Sequence, residues 1–540
     1  MKTAFILTAL MLVAAGSAGQ QPELLKDINP GSGSSYIMYM TQLGNKVVFS
    51  AINYANSNDE PWVTDGTADG TFMLKEIYPG NSKGSDIGPV TFFNGEAYFS
   101  ADDGSKGREL WKTDGTAEGT VMVKDINPGN ASGHPGDLAV FKNALYFSAY
   151  HPDSGYELWR TTGAENTTEL VANITNEGAS TQPGYLYATS NYLYFNSLIS
   201  LYLYCSDGTA AGSVLVSDQV KVGQLDQPYF TEYNGSVYFR GTDITGPDSK
   251  GTQLWKVYGS TASRVTTAVD EGEDLDPRYL TVASGKLFFG GMDKSHGREL
   301  WAYNGTSANL VKDTNPSGHG YMSGDFFVCF KNKLVFTAGD QSTGEELWVS
   351  DGTAEGTKMI KDIYPGAMSS FPISPVIIGD TLYFSADDGT SAELWRLTSP
   401  DGQPEKFTDI TGGGAYGPEV RRIKGTFVFV AGDATNGTEL WKMKAPQTTA
   451  AHDNINPDIY TMSIYPNPAT ESSIIEMPES FGLPADVRIY DSTGQMISAF
   501  ILSDRVSRLN DHVMKMLPGI YILKAVYRQQ EVTTRFIVSP

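Results

Sequence analysis

The stretch Glu346-Leu347-Trp348-Val349-Ser350-Asp351-Gly352-Thr353 decides how this chain folds. Its first four residues alternate in polarity, which is the pattern of a short strand. The last four have turn chemistry, because glycine takes positive φ without steric cost and aspartate can hydrogen-bond to its own backbone. Residues 357–363 alternate again, and Pro365-Gly366 ends the run. The stretch therefore predicts a β-hairpin.

The same phrase recurs along most of the chain at intervals of 45 to 51 residues. Each copy is centred on an aromatic residue, and the nine centres are Trp62, Trp111, Trp159, Tyr204, Trp255, Trp301, Trp348, Trp395 and Trp441. A fixed period in this range is typical of repeat architectures. The repeat therefore determines the architecture of this part of the chain.

Each repeat contains four strand-like segments joined by turns rich in glycine, asparagine, aspartate and proline. In the third repeat the segments are Asp137–Lys142, Ala144–Ala149, Tyr156–Thr161 and Thr168–Ile174. A helical apolar period is missing from every window, so helices are expected to be scarce. Four short antiparallel strands per repeat predict an all-β fold, a β-propeller of nine four-stranded repeats.

The two ends of the array are complementary in sequence. The chain enters at Leu24–Gly31, which has the form of the last strand of a repeat, and the array stops at Glu439–Met443, which lacks that strand. We expect the N-terminal strand to complete the ninth blade and close the ring, because closure removes an exposed sheet edge. Nine blades exceed the usual range of about four to eight. An open superhelix, or one repeat acting as a cap, is therefore the alternative.

The array is flanked by segments of other composition. Residues 1–19 are interpreted as a secretory signal peptide, with Lys2 at the start and a short apolar core before small residues. The propeller is assigned to residues 20–443 and a linker to 444–458. Cys205 and Cys329 lie three repeats apart, too far for a disulfide, and both are expected to be free and buried.

The charge of the chain restricts its partners. With 39 basic and 62 acidic residues, the formal net charge is −23. An acidic surface repels phosphate backbones, so nucleic acid is not an expected partner. No stretch after the leader is long and apolar enough to be a transmembrane segment. The sequence indicates an exported, soluble protein.

After the linker, residues 459–540 alternate as a different set of strands. The predicted strands are Tyr460–Tyr465, Ser473–Met477, Asp486–Tyr490, Gly519–Tyr527 and Val532–Val538. This number of strands is enough for a small C-terminal β-sandwich.

Two resemblances follow from these motifs. Glu109–Thr116 and Glu346–Thr353 resemble the ELWxxDGT repeat family, for which the resemblance implies no established activity. The tail resembles the type A sorting domain of the type IX secretion system of Bacteroidota, through Tyr465–Ala469, Asp491–Gln495 and Leu517–Leu523. Arg535 stands before the closing apolar strand, as a basic residue does in that family. The resemblance implies that residues 459–540 engage the secretion machinery, and that the protein is secreted to the medium or the outer cell surface.

Local motifs give no catalytic metal site, and no cofactor is expected. The Asp-Gly pairs at Asp65, Asp114, Asp207 and Asp351 are interpreted as hairpin turns. Calcium is the cation kept open, with Asp102-Asp103 and Asp387-Asp388 as the better candidates, because calcium takes six to eight oxygen ligands.

Two further features of the repeat are read as structural. The Trp of each copy is assigned to packing between blades. The glutamates two residues before it, such as Glu109 and Glu346, share its strand face, and the Lys of the Lys-Asp-Ile segment is expected to pair with them.

A candidate ligand site comes from counting within the repeat. The second strand of each repeat contains a Phe, and the residue 13 positions earlier is expected at one mouth of the central channel. The candidates at this position are Tyr36, Asp86, His134, Gln182, Asp226, Asp276, Phe371 and Tyr416, and in the seventh repeat, where the count falls on Ser323, the nearby Tyr321 is the candidate. Aromatic residues fall in repeats seven, eight, nine and one, and polar residues fall on the opposite arc. Apolar faces beside polar groups are what a sugar requires.

These observations favour non-catalytic binding of a glycan at the cell surface. Two alternatives are a polysaccharide lyase or glycoside hydrolase with its site at the propeller mouth, and a scaffold for protein–protein adhesion. A glycosidase would place two carboxylates across the mouth at catalytic distance.

Overall fold

The computed structural model describes residues 21–54, 57–80, 83–174, 180–223, 226–245, 251–266, 274–316, 318–320, 322, 326–410, 412–415 and 419–446 of the array. In the tail it describes residues 463–465, 474–476, 485–491, 496–502, 506–508, 516, 519–527 and 530–538. Within these residues the protein is all-β, and its helical structure is one 3-10 turn, Glu165–Thr167. The expected scarcity of helices is confirmed there. The predicted signal peptide and most of the predicted linker lie outside the described residues.

Short strands follow one another from the first residues of the array. Those from the N-terminal strand to the end of the third repeat are β1 (Glu23–Lys26), β2 (Met38–Leu43), β3 (Lys46–Asn53), β4 (Ser57–Thr64), β5 (Phe72–Met73), β6 (Thr91–Phe93), β7 (Glu96–Asp102), β8 (Arg108–Thr113), β9 (Val121–Lys124), β10 (Gly136–Phe141), β11 (Ala144–His151), β12 (Gly155–Thr161) and β13 (Glu169–Ala172).

The fourth to sixth repeats continue the series. Their strands are β14 (Pro183–Ala188), β15 (Leu193–Ser197), β16 (Tyr202–Ser206), β17 (Val214–Val222), β18 (Thr231–Tyr233), β19 (Ser236–Asp243), β20 (Thr252–Tyr258), β21 (Thr261–Arg264), β22 (Arg278–Ala283), β23 (Lys286–Asp293), β24 (Gly297–Tyr303) and β25 (Ala308–Lys312).

The seventh to ninth repeats complete the array. Their strands are β26 (Phe327–Phe330), β27 (Lys333–Asp340), β28 (Gly344–Ser350), β29 (Lys358–Lys361), β30 (Ile373–Ile378), β31 (Thr381–Asp387), β32 (Ala392–Leu397), β33 (Glu405–Lys406), β34 (Gly413–Gly414), β35 (Arg421–Ile423), β36 (Thr426–Asp433) and β37 (Gly437–Lys444).

The strands of a repeat pair antiparallel in chain order. In the third repeat the sheet order is β10-β11-β12-β13, and each strand boundary lies within two residues of its predicted position. Leu145↔Thr161 and Phe147↔Trp159 set the register between the two long strands. This register puts the Phe of the second strand directly opposite the Trp of the third, so the repeated aromatic residues pack as cross-strand pairs.

The Asp-Gly turns have the structure that the sequence predicts. In the second repeat, Asp114 Oδ1 accepts hydrogen bonds from the backbone N–H of Thr116 at 2.9 Å and from its hydroxyl at 2.6 Å. The Thr116 hydroxyl in turn accepts the N–H of Gly119 at 3.0 Å. The same bonds occur at Asp65, Asp207 and Asp351. These aspartates satisfy the backbone of a turn.

Consecutive sheets meet through their first strands. Thr231 Oγ1 donates to the carbonyl of Leu280 at 3.0 Å, and Thr281 Oγ1 donates to that of Phe327 at 3.3 Å, joining β18, β22 and β26. Thr41 makes the same bond to Val90 at 3.2 Å. First strands in mutual contact are the arrangement of blades around a propeller axis, with the first strand innermost.

The two ends of the array are joined by strand pairing. β1 pairs antiparallel with β37, with Leu24 opposite Trp441 and Lys26 opposite Leu440. The Glu419 carboxylate, just before β35, also accepts the backbone N–H of Met40 at 2.6 Å. The N-terminal strand therefore adds to the sheet of the ninth repeat, as the complementary ends predict.

The fourth and fifth repeats share one sheet. The long strand β17 pairs with β16 through Tyr204↔Leu215 and also with β19 through Lys221↔Thr242. The pairing produces an eight-stranded sheet across two repeats. The sequence gives no indication of this fusion.

The hydrophobic core lies between neighbouring sheets. Tyr98 and Leu110 of the second repeat pack with Leu145, Phe147 and Trp159 of the third, all nearly or fully buried. A fully buried Phe or Leu side chain contributes roughly 1.5–3 kcal/mol. The stability of the array therefore comes from contacts between repeats, and the assignment of the Trp side chains to packing is correct for this pair.

The two cysteines are free, as expected, but only Cys205 is buried. Burial raises the pKa of the Cys205 thiol to about 11. The expectation for Cys329 is wrong in one respect, because its side chain is half-buried. It lies in β26, an innermost strand with no further strand of its own sheet on that side.

The strands of the tail form two sheets. They are β38 (Ser463–Tyr465), β39 (Ile474–Glu476), β40 (Ala485–Asp491), β41 (Met496–Leu502), β42 (Val506–Arg508), β43 (Gly519–Tyr527) and β44 (Gln530–Val538). The sheet orders are β38-β39-β42 and β41-β40-β43-β44. All five predicted strands are present, and β41 and β42 are additional.

Candidate functional site

The residues that precede the first strands share an uncommon backbone conformation. Six of the nine predicted mouth residues have positive φ, between 42° and 51°: Tyr36, Asp86, His134, Gln182, Asp276 and Phe371. Positive φ is unfavourable for a residue with a Cβ and persists where the surrounding structure imposes it. The counted position is therefore one structural site repeated around the molecule.

A second left-handed position follows three residues later. It is occupied by Tyr39, Asp137, Tyr185, Tyr229, Tyr279 and Ser374, with φ between 51° and 62°. In several repeats it lies in a β-bulge of the first strand, for example between Arg278 and Thr281. Bulges redirect side chains and are common beside binding sites. Tyrosine occupies this position in the first, fourth, fifth and sixth repeats.

The mouth residue and a residue of the third strand form a pair within the same repeat. Asp86 forms an ion pair with Arg108 in the second repeat, and Asp276 forms one with Arg298 in the sixth. In the third repeat the His134 ring lies beside that of Tyr156 in a tilted arrangement, with ring centroids 6.4 Å apart. Burial, and then the charge of Arg108, lower the pKa of His134. The same two positions are thus paired in these three repeats, by an ion pair in two of them and by aromatic rings in the third.

The exposure of the predicted residues differs between the two arcs. Tyr36 and Phe371 are open to solvent, with 57% and 61% of their surface exposed. Tyr321 and Tyr416, the other aromatic residues of that arc, lie outside the described residues. On the polar arc Asp86 and His134 are exposed, and Gln182 and Asp226 are half-buried.

Asp276 departs from the expectation of an open mouth residue. It is only 5% exposed, and its carboxylate is enclosed by guanidinium groups. It is brought close to Asp226, because Arg278 pairs with both carboxylates, at 2.8 Å to Asp276 and 3.1 Å to Asp226. Two of the predicted residues are thus joined in one cluster.

A cavity of about 500 Å³ lies beside this cluster, between the first strands of the fifth and sixth repeats. Asp226, Tyr229 and Tyr279 line it. The two tyrosine rings pack edge to face at 5.3 Å, and Tyr279 lies 5.5 Å from Phe327 in the next repeat. The cavity therefore has aromatic walls and a carboxylate at its edge.

Sequence reasoning missed the two tyrosines of this cavity. They occupy the second left-handed position, ten residues before the Phe of the second strand. The predicted site used only the position 13 residues before that Phe. Counting at that second position would have found Tyr39, Tyr185, Tyr229 and Tyr279 together. Burial, together with a hydrogen bond to Asp226, raises the pKa of Tyr229, so its hydroxyl is protonated at neutral pH.

A second cavity, of about 840 Å³, lies between the first strands of the eighth and ninth repeats. Pro375, Ile377, Glu419 and Arg422 line it, and Gln42 of the first repeat completes the wall. Its lining is more apolar than that of the first cavity, because it contains more aliphatic residues. None of its lining residues is a tyrosine. Of these two cavities, the one with aromatic walls is therefore the cavity of repeats five to seven.

The repeated glutamates are fully buried and bind the backbone. Glu109 accepts the N–H groups of Ile126 at 2.9 Å and Gly133 at 2.7 Å, and Glu346 accepts that of Ile363 at 2.9 Å. Burial raises the pKa of Glu109 to about 7, against the opposing effect of these hydrogen bonds. They are structural groups that hold the loop between one repeat and the next.

The expected pairing of the repeated lysines with these glutamates is wrong. Lys75 donates to the carbonyl of Thr120 at 2.8 Å and lies 5.9 Å from the Trp111 ring centroid, both in the following repeat. Lys361 likewise lies over Trp395, at 4.8 Å. The lysine points along the sheet surface to the next blade, because a buried carboxylate with backbone donors leaves no space for an ammonium group.

The candidate calcium residues are also engaged in turns. Asp103 Oδ1 accepts the N–H groups of Ser105 and Lys106, and Asp102 pairs with Lys83 at 3.2 Å. Asp388 accepts from Thr390 and pairs with Lys406 at 2.9 Å. Among the residues that the structure describes, no three His, Cys, Asp or Glu side chains converge as a metal site.

Fold and site together define an all-β, propeller-like protein with a polar and aromatic cavity near its axis. Residues 463–539 match the family described as "Secretion system C-terminal sorting domain". The chain therefore carries a type IX secretion sorting domain and is a secreted or cell-surface protein. No curated protein sequence matches the chain significantly. No helix in the described part is long and apolar enough to cross a membrane.

Several solved structures resemble the chain at low identity. A puromycin-hydrolyzing peptidase of Mycobacterium tuberculosis is 9% identical, with a TM-score of 0.36 over 76% of this chain, and the chain spans only 61% of its length. PorZ, a surface component of the type IX secretion system of Porphyromonas gingivalis, is 11% identical, with a TM-score of 0.20, 93% of this chain and 86% of PorZ being covered. The β-propeller domain of the Trilobed protease from Pyrococcus furiosus is 12% identical, with a TM-score of 0.33, 70% of this chain and 99% of that domain being covered.

Proposed function

We propose that this secreted protein binds a glycan, without chemical conversion, in the cavity between its fifth and sixth repeats. The observation that carries the proposal is the edge-to-face pair of Tyr229 and Tyr279 beside the Asp226 carboxylate. Sugars offer apolar ring faces to aromatic side chains and hydroxyl groups to carboxylates. A volume of about 500 Å³ has room for one or two sugar rings.

The proposal includes the architecture that presents this cavity. The nine repeats form a closed ring through β1 and β37, with the first strands around the axis, and the mouth carries the nine predicted residues. The protein belongs to the ELWxxDGT repeat proteins of Bacteroidota, with a signal peptide at 1–19, a propeller at 20–443, a linker at 444–458 and the sorting domain at 459–540. Its partners are the secretion machinery and an extracellular glycan. The pairing of Leu24 with Trp441 supports the closure.

The chemistry of the cavity favours binding over catalysis. Hydrolysis of a glycoside needs two carboxyl groups free to act as acid and as base or nucleophile. Here Asp276 is held by three arginines, and Asp226 is left as the carboxylate that faces the cavity. A scaffold for protein adhesion would not require the tyrosine pair.

The test is a glycan array with the purified propeller, accompanied by a reducing-sugar assay on each bound polysaccharide. We expect binding without release of reducing ends. Tyr229→Ala with Tyr279→Ala should abolish binding, and a melting curve shows whether this variant is folded, because both rings also pack against neighbouring aromatic side chains. Tyr36→Ala with Tyr416→Ala tests the opposite arc in the same way. Steady release of reducing sugar would replace the binding function with a hydrolase or lyase, and unchanged binding in the folded variant of Tyr229 and Tyr279 would refute the cavity as the site.

A further inference from the structure

Three arginines converge on the buried Asp276 carboxylate. Arg240 Nε donates to Oδ1 at 2.5 Å, Arg278 donates to Oδ2 through two nitrogens at 2.8 and 2.9 Å, and Arg298 forms an ion pair with the same oxygen. They come from three different strands, β19, β22 and β24, so two adjacent repeats build the cluster. A surplus of guanidinium groups around one carboxylate requires a further source of negative charge.

The charges of the cluster do not balance. Asp226 supplies a second carboxylate, through its 3.1 Å contact with Arg278, and among the residues that the structure describes the ion pairs of the cluster join three positive charges to two negative ones. The chain as a whole carries a net charge of −23, so a positive surplus beside a cavity is contrary to its overall composition. A buried surplus charge is costly unless a counter-ion joins it.

The second repeat shows what the structural version of this pair looks like. There Arg108 and Asp86 occupy the equivalent positions and form a single ion pair with an exposed carboxylate. In the sixth repeat, Arg278 joins the equivalent pair of Asp276 and Arg298, and Arg240 joins it from the fifth repeat. The blade therefore does not need the additional arginines in order to fold.

Arg278 is the member of the cluster that can reach a ligand. Its side chain is 30% exposed, against 3% for Arg240 and 14% for Arg298. Its neighbour in the chain, Tyr279, lines the cavity together with Asp226. Nε and Nη2 of Arg278 are bonded to Asp276, and Nη1 contacts Asp226 at 3.1 Å, so Nη1 is the nitrogen that a ligand carboxylate or sulfate would bind in place of Asp226.

We infer that the cavity selects acidic sugars, whose carboxylate or sulfate group binds Arg278 in competition with Asp226. The inference rests on the proposed glycan-binding function and specifies its ligand class. The tyrosine pair contacts the sugar ring, and Arg278 of the arginine cluster binds the acidic substituent. The surplus positive charge is neutralised when the ligand binds.

The experiment uses the full mature chain and measures affinity for three sets of probes. They are hexuronate oligosaccharides, the same oligosaccharides after reduction of their carboxyl groups, and sulfated but uronate-free galactans. We expect the acidic probes to bind about tenfold or more tightly than the reduced ones, as one charge-assisted hydrogen-bond pair provides. The comparison of uronates with sulfated galactans identifies the acidic group. Binding of the acidic probes should weaken with added salt, and that of the reduced probes should not.

Three variants isolate the role of the cluster. Arg278→Gln should remove the preference for acidic probes and retain weak binding of the reduced ones. Asp226→Asn is isosteric, removes the competing carboxylate and keeps an oxygen that accepts from a sugar hydroxyl, so it should increase the ratio of affinity for acidic probes to affinity for reduced ones. Arg396→Gln is the control, because Arg396 pairs with Glu405 at 2.7 Å on an outer strand away from the cavity. A melting curve of each variant shows whether it is folded.

The outcomes separate the two proposals. Equal affinity for acidic and reduced probes overturns the selectivity and leaves glycan binding intact. Binding to none of the probes or arrayed glycans overturns both. If Arg278→Gln does not fold, a ratio of affinity for acidic to reduced probes that is no higher in Asp226→Asn than in the unmodified chain overturns the selectivity on its own.

Discussion

The Glu109 carboxylate accepts the backbone N–H of Gly133 at 2.7 Å, across 24 residues and from one repeat to the start of the next. The same carboxylate accepts the N–H of Ile126 at 2.9 Å, so one side chain holds both ends of the connecting loop. The equivalent bonds of Glu346 and Glu439 show that a buried glutamate holds this loop in other repeats too. The loop so held contains the mouth residue of the following repeat.

Replacement of Glu109 should therefore destabilise the array. Glu109→Gln places an amide donor among backbone donors and leaves at least one of them unsatisfied, which costs about 2 to 3 kcal/mol. The decrease is measured by urea denaturation. Glu118→Gln, an exposed glutamate nine residues away, is the matched control and should be neutral. Equal stability of the two variants would contradict the role of the buried carboxylate.

The same groups predict how stability depends on pH. Burial raises the pKa of Glu60, Glu109, Glu299 and Glu439 to about 7, from 4.5. The folded chain retains protons that the unfolded chain releases, so their contribution is complete below about pH 4.5 and is lost as pH rises through 7.

Asp65 and Asp114 act in the opposite direction and at lower pH. The hydroxyls of Thr67 and Thr116 lower their pKa below 3.8, so their contribution is lost as pH falls through that lower range.

Because of the buried glutamates, we expect the urea midpoint to decrease from pH 5 to pH 8, with proton release on unfolding near pH 6. A midpoint that increases across this interval would disprove the assignment.

The Asp-Gly-Thr turn leaves no space at its final glycine. A Cβ at Gly119 would overlap the Asp114 carboxylate. Gly119→Ala should therefore break the hydrogen bonds of Asp114 and cost about 1 to 3 kcal/mol. Gly425→Ala is the control, since a Cβ there meets no atom within 4 Å and φ is not positive. The comparison is made by thermal denaturation, and a Gly119 variant as stable as the control would exclude the clash.

The N-terminal strand should be necessary for stability. Deletion of residues 20–31 removes β1, exposes the edge of β37 and leaves Glu439 without the N–H of Ile28, which it accepts at 2.8 Å. We expect a large decrease in melting temperature, because a buried strand is lost from a marginally stable fold. Ile28→Ala should reproduce part of the effect, about 2 to 5 kcal/mol, while Glu23→Ala at an exposed position should not. A truncated protein that melts like the intact one would refute the closure.

The sorting domain should be necessary for export but not for folding of the array. Deletion of residues 459–540 is expected to leave a folded propeller in the periplasm, because the strands that the structure describes in the tail pair only with one another. Immunoblots of periplasm, cell surface and medium measure the distribution, with the intact chain as control. Normal secretion of the truncated protein would contradict the sorting role.

Local patterns in the sequence determined the repeat and its hairpins. Alternation around Trp159, the turn at Asp114 and the strand boundaries of the third repeat depend on residues close in the chain, and the structure agrees with them within two residues. Periodicity also identified a position before the first strands whose positive φ recurs in six repeats, because a backbone shape that recurs with the repeat can be counted along the sequence. The complementary ends predicted the pairing of β1 with β37 for the same reason.

Only the tertiary structure decided which groups at those positions meet. Asp86 and Asp276 occupy the same place in their repeats. Asp86 is exposed, whereas Asp276 is enclosed by Arg240 and Arg278 in addition to its partner Arg298. Burial and charge at a site depend on side chains that neighbouring blades bring together, and the sequence of one repeat does not contain that information. Asp276 is buried, and the cavity lined by Tyr229 and Tyr279 forms, because the fifth and sixth repeats pack against each other in the folded array.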